Sequence, residues 1–197
     1  LELALHQIKP HFLQNALMSI KVLCRTRPKE AEQAVYDFAV FLRGNMNALE
    51  SAEMIPFREE CKTIERYLHI EKIRFGERLQ VQWDLQEEKF RIPPLTIQPL
   101  VENAVCHGIC QKMEGGTVQI RSFRKNGEIC VQILDDGAGF DTEKLKDADG
   151  IAIRNLKLRL KEFLNADLEI ESRKGEGCRQ TIHIPWEETD DENYSDR

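Results

Sequence analysis

The spacing of apolar residues changes once along this chain, and that change most constrains its fold. Up to Gly76, apolar side chains recur at the intervals of amphipathic helices. From Arg78 onward, several segments instead alternate apolar and polar residues, as half-buried strands do. We therefore predict an α+β protein with a helical region at residues 1–76 and a sheet-containing region at residues 77–187.

Within the helical region the pattern predicts three helices and no strand. The first covers residues 3–24, the second runs from Pro28 to about Asn47, and the third begins near Pro56 and stops at Gly76. Amphipathic helices without a sheet are typical of a bundle or a dimerising hairpin.

The sheet-containing region mixes strands with two apolar helices. The helices are PLTIQPLVENAVCHGI, between the first two strands, and a segment at about residues 150–165. This order favours a mostly antiparallel sheet that carries helices on one face. The predicted strands are LQVQWDL, GTVQIRSF, EICVQILDD, DLEIESR and CRQTIHIP.

The charge of the chain lies mainly at its carboxyl end. Of a net charge of −6, residues 187–197 contribute −5 and leave −1 for the remainder. We predict that residues 188–197 form an acidic, disordered tail. A near-neutral body without a basic cluster is not typical of a nucleic-acid-binding protein.

No run of about 18 apolar residues is present, so no segment is expected to cross a membrane. The chain begins at Leu1 without a signal peptide, and we expect it to be a piece of a longer protein. Five of the six cysteines fall in apolar-periodic segments, which predicts reduced, packed thiols in a cytosolic protein. Cys106 and Cys110 flank His107, but without a second ligand pair this spacing does not favour a zinc site.

The segment IKPHFLQN, residues 8–15, contains a proline within the helical pattern and a histidine directly after it. Taking about 100° of rotation per residue, His6 falls within the apolar arc of the first helix and is expected to be packed or to lie at an interface. His11 falls opposite the centre of that arc, so we predict that it faces solvent. An exposed imidazole is partly neutral near neutral pH and can act as a nucleophile.

Four short motifs follow in the sheet-containing region. They are VENAVCHG at 101–108, DDGAGF at 135–140, GIAIRNLKLRL at 150–160 and GEGC at 175–178. Singly, each is as expected of a turn or a surface helix. In this order they share one physical use, which is to hold a nucleoside triphosphate. The polar residues 141–149 are typical of a mobile lid over such a site.

The residue types in these motifs suit that ligand. Asn103 offers a neutral oxygen to Mg²⁺, and Asp135 can accept a hydrogen bond from an exocyclic amine such as that of adenine. Gly137 and Gly139 allow the backbone to approach a ligand closely. The helix that follows Gly150 presents N-terminal amides suited to a phosphate.

These motifs resemble the N, G1, G2 and G3 boxes of the Bergerat-fold ATPases, which include gyrase-type topoisomerases and histidine kinases. Together with IKPHFLQNALMSI and IERYLHIEKIRFGERL, they resemble more narrowly the LytS/YehU-type sensor histidine kinases, over about residues 3–186. The resemblance implies a helical dimerisation and phospho-acceptor region followed by a Bergerat-fold α/β sandwich.

The resemblance also implies ATP and Mg²⁺ as ligands, with specific residues in specific roles. His11 would be the phospho-acceptor, and Asn15, one turn later, is a candidate to orient its ring. Asn103 would bind Mg²⁺, and Asp135 would recognise adenine. The residues expected to shape the pocket or to neighbour the phosphates are His107, Gly137, Gly139, Gly150, Arg154 and Asn155.

A protein of this kind would autophosphorylate on histidine and pass the phosphoryl group to an aspartate in the receiver domain of a response regulator. It would work as a homodimer, on the cytoplasmic side of a bacterial sensor that reaches the membrane only through a missing N-terminal part.

The sequence departs from the family pattern at several positions. The family commonly has Asn, Phe and Asn where this chain has Lys9, Gln14 and Asp136. Ala152 replaces the second glycine of one box, and Cys178 replaces the threonine that usually ends the last box. A methyl group at position 152 would narrow the room for phosphate.

Two alternatives remain open at this point. A gyrase-like ATPase would use a glutamate four residues before Asn103, but Pro99 stands there and Glu102 is instead adjacent. A degenerate kinase could serve as a nucleotide-binding or non-enzymatic dimeric scaffold, which Ala152 and Cys178 would favour.

Overall fold

Three amphipathic helices form the first part of the structure, a computed structural model that describes residues 10–50, 53–141 and 151–186. They are α1 (Pro10–Thr26), α2 (Pro28–Glu50) and α3 (Phe57–Phe75). Pro28 occupies the first position of α2, where a helix has no use for a backbone N–H donor. All three helices were predicted, although residues 3–9 of the first lie outside the described residues.

An aromatic cluster joins these helices. The ring of Phe12 lies 5.3 Å from that of Phe41 on α2 and 5.1 Å from that of Tyr67 on α3, measured between centroids. All three side chains are buried. Aromatic burial of this kind contributes through both buried area and ring–ring attraction, so it fixes α1 against its neighbours.

The apolar arc of α1 is wider than the face that the chain itself buries. Ala16, Ile20 and Leu23 are buried as expected, but Leu17 is 56% exposed and Val22 is 59% exposed. Part of the apolar arc of this helix is therefore left without contacts inside a single chain.

Five strands form the main sheet of the second part. The strands are β2 (Leu79–Leu85), β4 (Gly116–Lys125), β5 (Glu128–Asp135), β6 (Asp167–Arg173) and β7 (Gly177–Pro185). Their order in the sheet is β2–β4–β5–β7–β6, in which β2 pairs with β4 in parallel and all other pairs are antiparallel. The predicted α+β class with a mostly antiparallel sheet is confirmed.

A small strand pair connects the two parts and was not predicted. Strand β1 (Ile55–Pro56) pairs with β3 (Arg91–Ile92), although the sequence up to residue 76 indicates only helices. Next to this pair, the N–H of Phe57 donates to the carbonyl of Phe90 at 2.9 Å, and their rings stack at 4.5 Å. The start of α3 is therefore attached to the sheet-containing region.

Two helices cover one face of the sheet. Helix α4 (Gln98–Asn103) continues as a single π-helical turn (Ala104–Gly108), and α5 (Ile151–Leu164) follows the undescribed residues 142–150. Alternate residues of β4, β5 and β7 point into the core that these helices close. The buried members include Leu100, Val101, Val118, Ile120, Val131, Ile133, Leu156, Leu160 and Ile182.

Other expectations have mixed outcomes. All six cysteines are free thiols, but Cys24 is exposed rather than packed. Within the described residues, no helix is both long and apolar enough to cross a bilayer. His6 and the predicted tail at 188–197 lie outside the described residues.

Candidate functional site

His11 lies on the solvent side of α1, as the helical projection predicted. The next residue, Phe12, is buried in the aromatic cluster, and adjacent residues on a helix point in different directions. The buried ring therefore anchors the helix while the imidazole stays accessible.

Asn15 lies one turn after His11 and contacts its ring. The side-chain nitrogen of Asn15 is 3.1 Å from Nδ1 and 3.1 Å from Nε2 of His11. Because the two ring nitrogens direct their lone pairs apart, only the unprotonated nitrogen accepts from the amide at any moment. Asn15 can thus restrain the ring while leaving the imidazole neutral.

Asp135 ends strand β5 and is the most enclosed of the predicted site carboxylates. It is 7% exposed, and its Oδ1 accepts a hydrogen bond from the N–H of Gly137 at 3.0 Å. Burial, with a contribution from Asp136, raises the pKa of Asp135 to about 6, against the lowering effect of hydrogen bonds from Gly137 and Cys178. The carboxylate is ionised at neutral pH and available as an acceptor.

Gly108 creates the space that Asp135 occupies. A Cβ at position 108 would lie 2.4 Å from Oδ1 of Asp135, so this carboxylate would have to move to make room for any side chain there. The π-helical turn that ends at Gly108 therefore lies directly against the end of β5. Asn103 is half-buried and His107 exposed on this same stretch, so the first two motifs are neighbours in space.

Neighbouring backbone atoms leave no room for a side chain at the glycines of the second motif. A Cβ on Gly137 would lie 2.3 Å from the carbonyl carbon of Gly108, and one on Gly139 would lie 2.0 Å from the carbonyl oxygen of Arg173. The N–H of Ala138 also donates to Gly108, and the N–H of Gly175 donates to Ala138. Residues 136–140 are thus held between the π-helical turn and the β6–β7 hairpin.

The fourth motif packs against Asp135 as well. Gly177 has a positive φ of +85°, and a Cβ there would lie 1.9 Å from the carbonyl oxygen of Asp135. Cys178 is the cross-strand partner of Asp135. Burial and the Asp135 charge raise the pKa of the Cys178 thiol to about 12, so this cysteine is a neutral group here.

Asp136 and Lys112 make hydrogen bonds next to Asp135. The sequence alone gave no reason to assign Lys112 a role. The side chain of Asp136 accepts from the N–H of Thr117 at 2.7 Å, and Nζ of Lys112 donates to the carbonyl of Asp136 at 2.8 Å. An asparagine oxygen could accept the same amide hydrogen, which explains how aspartate serves where asparagine is common.

The third motif is only partly described. Arg154 and Asn155 are exposed on α5, while Leu156 is buried beneath them. Gly150 and the predicted lid at 141–149 fall outside the described residues except for Asp141, and the side chain of Ala152 is also outside them. The structure therefore brings together three of the four motifs around Asp135.

Buried polar residues connect this region to the helices, and the sequence analysis missed them. Glu60 on α3 accepts from the N–H groups of Ile97 and Gln98, at 2.5 and 3.1 Å, and so caps the start of α4. The hydroxyl of Tyr67 lies 3.9 Å from Sγ of Cys106. The sequence did contain one signal for these contacts, because Glu60 is a charged residue among the apolar residues of the predicted third helix.

Two family models match the chain. One, described as histidine kinase, covers residues 1–79. The other, described as histidine kinase-, DNA gyrase B- and HSP90-like ATPase, covers residues 94–188.

Curated relatives agree with these matches. The chain is 36% identical over 191 residues to a putative uncharacterized protein, YwpD, of Bacillus subtilis, covering 93% of this chain and 69% of that protein. It is 33% identical to the sensor histidine kinase BtsS of Escherichia coli and 31% identical to the sensor protein LytS of Bacillus cereus. Each of these two matches covers 91% of this chain, and the chain spans about a third of each sensor protein, 32% and 33%.

The fold has a solved counterpart in the histidine kinase domain of a blue-light-activated kinase from Erythrobacter litoralis. The TM-score is 0.55 at 15% identity, over 95% of this chain and 97% of that one. The family models and the curated relatives show that the chain belongs to the histidine kinases, in the group that includes LytS and BtsS. The predicted resemblance is confirmed. The second family model includes DNA gyrase B, but the histidine kinase model over residues 1–79 favours a kinase over the gyrase-like alternative, and none of these matches favours the scaffold alternative.

Proposed function

We propose that this chain is the kinase core of a two-component sensor, which transfers the γ-phosphoryl group of ATP to His11 and then to an aspartate of a response regulator. The observation that carries the proposal is the meeting of three motifs at Asp135, in a chain that also presents His11 to solvent. The family membership supports the reaction type.

The nucleotide site would be built around Asp135. Its carboxylate is buried, and its Oδ1 accepts from the N–H of Gly137; the remaining lone pairs of a carboxylate suit recognition of an adenine amine. Asn103 would contribute an oxygen to Mg²⁺, which typically combines one or two protein oxygens with phosphates and waters. When bound, Mg²⁺ would neutralise charge on the phosphates. We assign His107, Arg154 and Asn155 as neighbours of the pocket or of the phosphates. Gly137, Gly139 and Gly150 would let the backbone approach the nucleotide closely.

His11 would act as the nucleophile. A neutral ring nitrogen forms a bond to the γ-phosphorus, the bond to the β–γ bridging oxygen breaks, and ADP leaves. The other ring nitrogen then releases its proton to solvent. Asn15 is suited to orient the ring because it contacts both nitrogens without adding charge. Catalysis of such transfers is mainly positioning and electrostatic stabilisation.

The helical region, residues 1–76, would form a homodimer. The exposed apolar side chains of α1 and α2 support this proposal, because Leu17, Met18, Val22, Val35 and Tyr36 are all about half exposed or more. Response-regulator binding and attachment of the whole protein to the cytoplasmic face of a membrane belong to the same proposal, given the sensor proteins to which the chain is similar.

The decisive experiment is phosphorylation with radiolabelled ATP and Mg²⁺, comparing the wild-type chain with His11→Gln. We expect an acid-labile label on wild type and none on the variant. Asp135→Asn should lose labelling together with ATP binding, whereas His11→Gln should still bind ATP by calorimetry. Equal labelling of wild type and His11→Gln would refute the assignment of His11, and ATP binding that survives in Asp135→Asn would refute the proposed pocket.

A further inference from the structure

Three side chains of the types that bind transition metals meet on the sheet, away from the four nucleotide motifs. Glu128 and Cys130 are alternate residues of β5, and His183 on β7 is the direct cross-strand partner of Cys130. One potential ligand atom from each lies within 4.8 Å of the other two. Strand alternation puts them on the face opposite to Ile129 and Val131.

The distances between these ligand atoms suit an ion with tetrahedral coordination. Nδ1 of His183 is 3.0 Å from Oε2 of Glu128 and 3.9 Å from Sγ of Cys130. Zinc bonds of about 2.3 Å to sulfur and about 2.0–2.2 Å to nitrogen and oxygen imply tetrahedral ligand separations of roughly 3.3–3.7 Å. The two separations that involve His183 are thus within a few tenths of an ångström of these values, and the ligand atoms of Glu128 and Cys130 lie within 4.8 Å of each other.

A fourth residue suits the outer shell of such a site. Nε2 of His183 lies 3.5 Å from Oε2 of Glu169 on β6. If Nδ1 faces a metal, Nε2 carries the ring proton and directs it at this carboxylate. Metal-binding histidines commonly make this kind of hydrogen bond, which fixes the ring and makes it a stronger donor.

We propose that Glu128, Cys130 and His183 bind a zinc ion, with Glu169 orienting the histidine and a water completing the coordination. The strand pairing already holds Cys130 and His183 together, so little ordering is needed on binding. The side chains of His183 and Glu128 are 32% and 41% exposed, which leaves the ion a path from solvent. Mg²⁺ does not compete, since it prefers oxygen ligands only.

The test is a Zn²⁺ titration of the reduced, metal-free chain by calorimetry in excess Mg²⁺, followed by Co²⁺ with detection of thiolate-to-cobalt charge-transfer absorption. We expect one ion per chain, and at least tenfold weaker binding in both Cys130→Ser and His183→Gln. Glu169→Gln should weaken binding by about tenfold, as loss of an outer-shell partner typically does.

Two variants serve as matched controls. Cys24→Ser and His69→Gln remove an exposed cysteine and a histidine elsewhere, so they should leave binding unchanged. Should Cys130→Ser fail to fold, the partly exposed His183 decides the outcome through His183→Gln. Absence of tight Zn²⁺ binding in wild type, or unchanged binding in His183→Gln, would overturn the proposal. Neither result bears on ATP binding or on labelling of His11.

Discussion

The side-chain nitrogen of Gln98 links Asn45 on α2 to Glu102, the residue next to Asn103. It donates to Oδ1 of Asn45 at 2.9 Å and to Oε1 of Glu102 at 2.8 Å. These two bonds use both hydrogens of the amide, and Asn45 and Gln98 are buried. A helix of the first family model and the helix of the first nucleotide motif therefore share one polar side chain.

We predict that Asn45→Ala destabilises the chain by about 1–3 kcal/mol, because it leaves a buried N–H of Gln98 without its acceptor. Urea denaturation measures the change. Asn47→Ala is the matched control, since Asn47 is exposed on the same helix. If both variants lost similar amounts of unfolding free energy, the Asn45–Gln98 hydrogen bond would make no specific contribution to stability.

Gly108→Ala should abolish ATP binding while Gly44→Ala should not. The alanine methyl at 108 collides with the Asp135 carboxylate, whereas at position 44 it meets only Thr63, at 3.8 Å. In the interior of α2, alanine should even stabilise the fold by up to about 1 kcal/mol relative to glycine. Calorimetric titration with ATP and denaturation curves test both expectations. Normal nucleotide affinity in Gly108→Ala would contradict the proposed pocket.

ATP affinity should decrease as the pH falls through about 6. The pKa of Asp135 is raised to about 6, mainly by burial, so its carboxylate becomes protonated in this range and loses acceptor strength. Calorimetric titrations from about pH 5 to about pH 8 would measure the effect. A flat profile for the wild-type chain would argue against adenine recognition by this carboxylate.

Stability should decrease as pH rises toward neutrality, in part because of Glu71. Burial, with the nearby Glu102, raises the pKa of Glu71 to about 7 despite Arg74, from an ordinary value of 4.5. A carboxyl group whose pKa is raised in the folded state contributes to the stability of the fold. This contribution is fully present below pH 4.5 and is lost as the pH rises through about 7. We expect Glu71→Gln to reduce this pH dependence by about 1–3 kcal/mol.

The control for that variant is Glu65→Gln, which removes an exposed carboxylate from the same helix. Its stability should follow the wild-type pH profile. Denaturation at several pH values distinguishes the two, and identical profiles for wild type and Glu71→Gln would exclude Glu71 as the titrating group.

Asn15→Ala should slow labelling of His11 by about tenfold without changing ATP affinity, because it frees the ring to rotate away from the reactive orientation. Gln14→Ala removes an exposed amide beside it and should be neutral. Single-turnover labelling at saturating ATP measures the rate. If both variants react at the wild-type rate, Asn15 does not position the ring.

Much of the fold follows from local pattern. The helices near Phe12, Phe57 and Leu156 and the five long strands could be predicted, since each carries enough residues for its periodicity to be read. The pair β1–β3 could not, because two-residue strands have no period and depend on a partner distant in sequence. The π-helical turn at Ala104–Gly108 likewise leaves no local signal.

The candidate site was likewise predictable only in part. His11 is exposed as predicted, and three of the four predicted motifs lie together around Asp135, while the third motif is only partly described. The clash that makes Gly108 essential depends on how a helix meets a strand end, which sequence spacing does not specify. The polar contacts of Glu60 and Gln98 also arise only from tertiary packing. The roles of the individual site residues and the boundary near residue 77 stay predictions.

The attachment of α3 to the sheet has a consequence for dividing the chain into fragments. A cut at residue 77 would remove Glu60 from the first amides of α4 and would strip Phe57 from Phe90. We therefore expect a fragment that begins at residue 77 to be less stable than one that also contains α3, because α4, which carries Asn103, would lose these contacts.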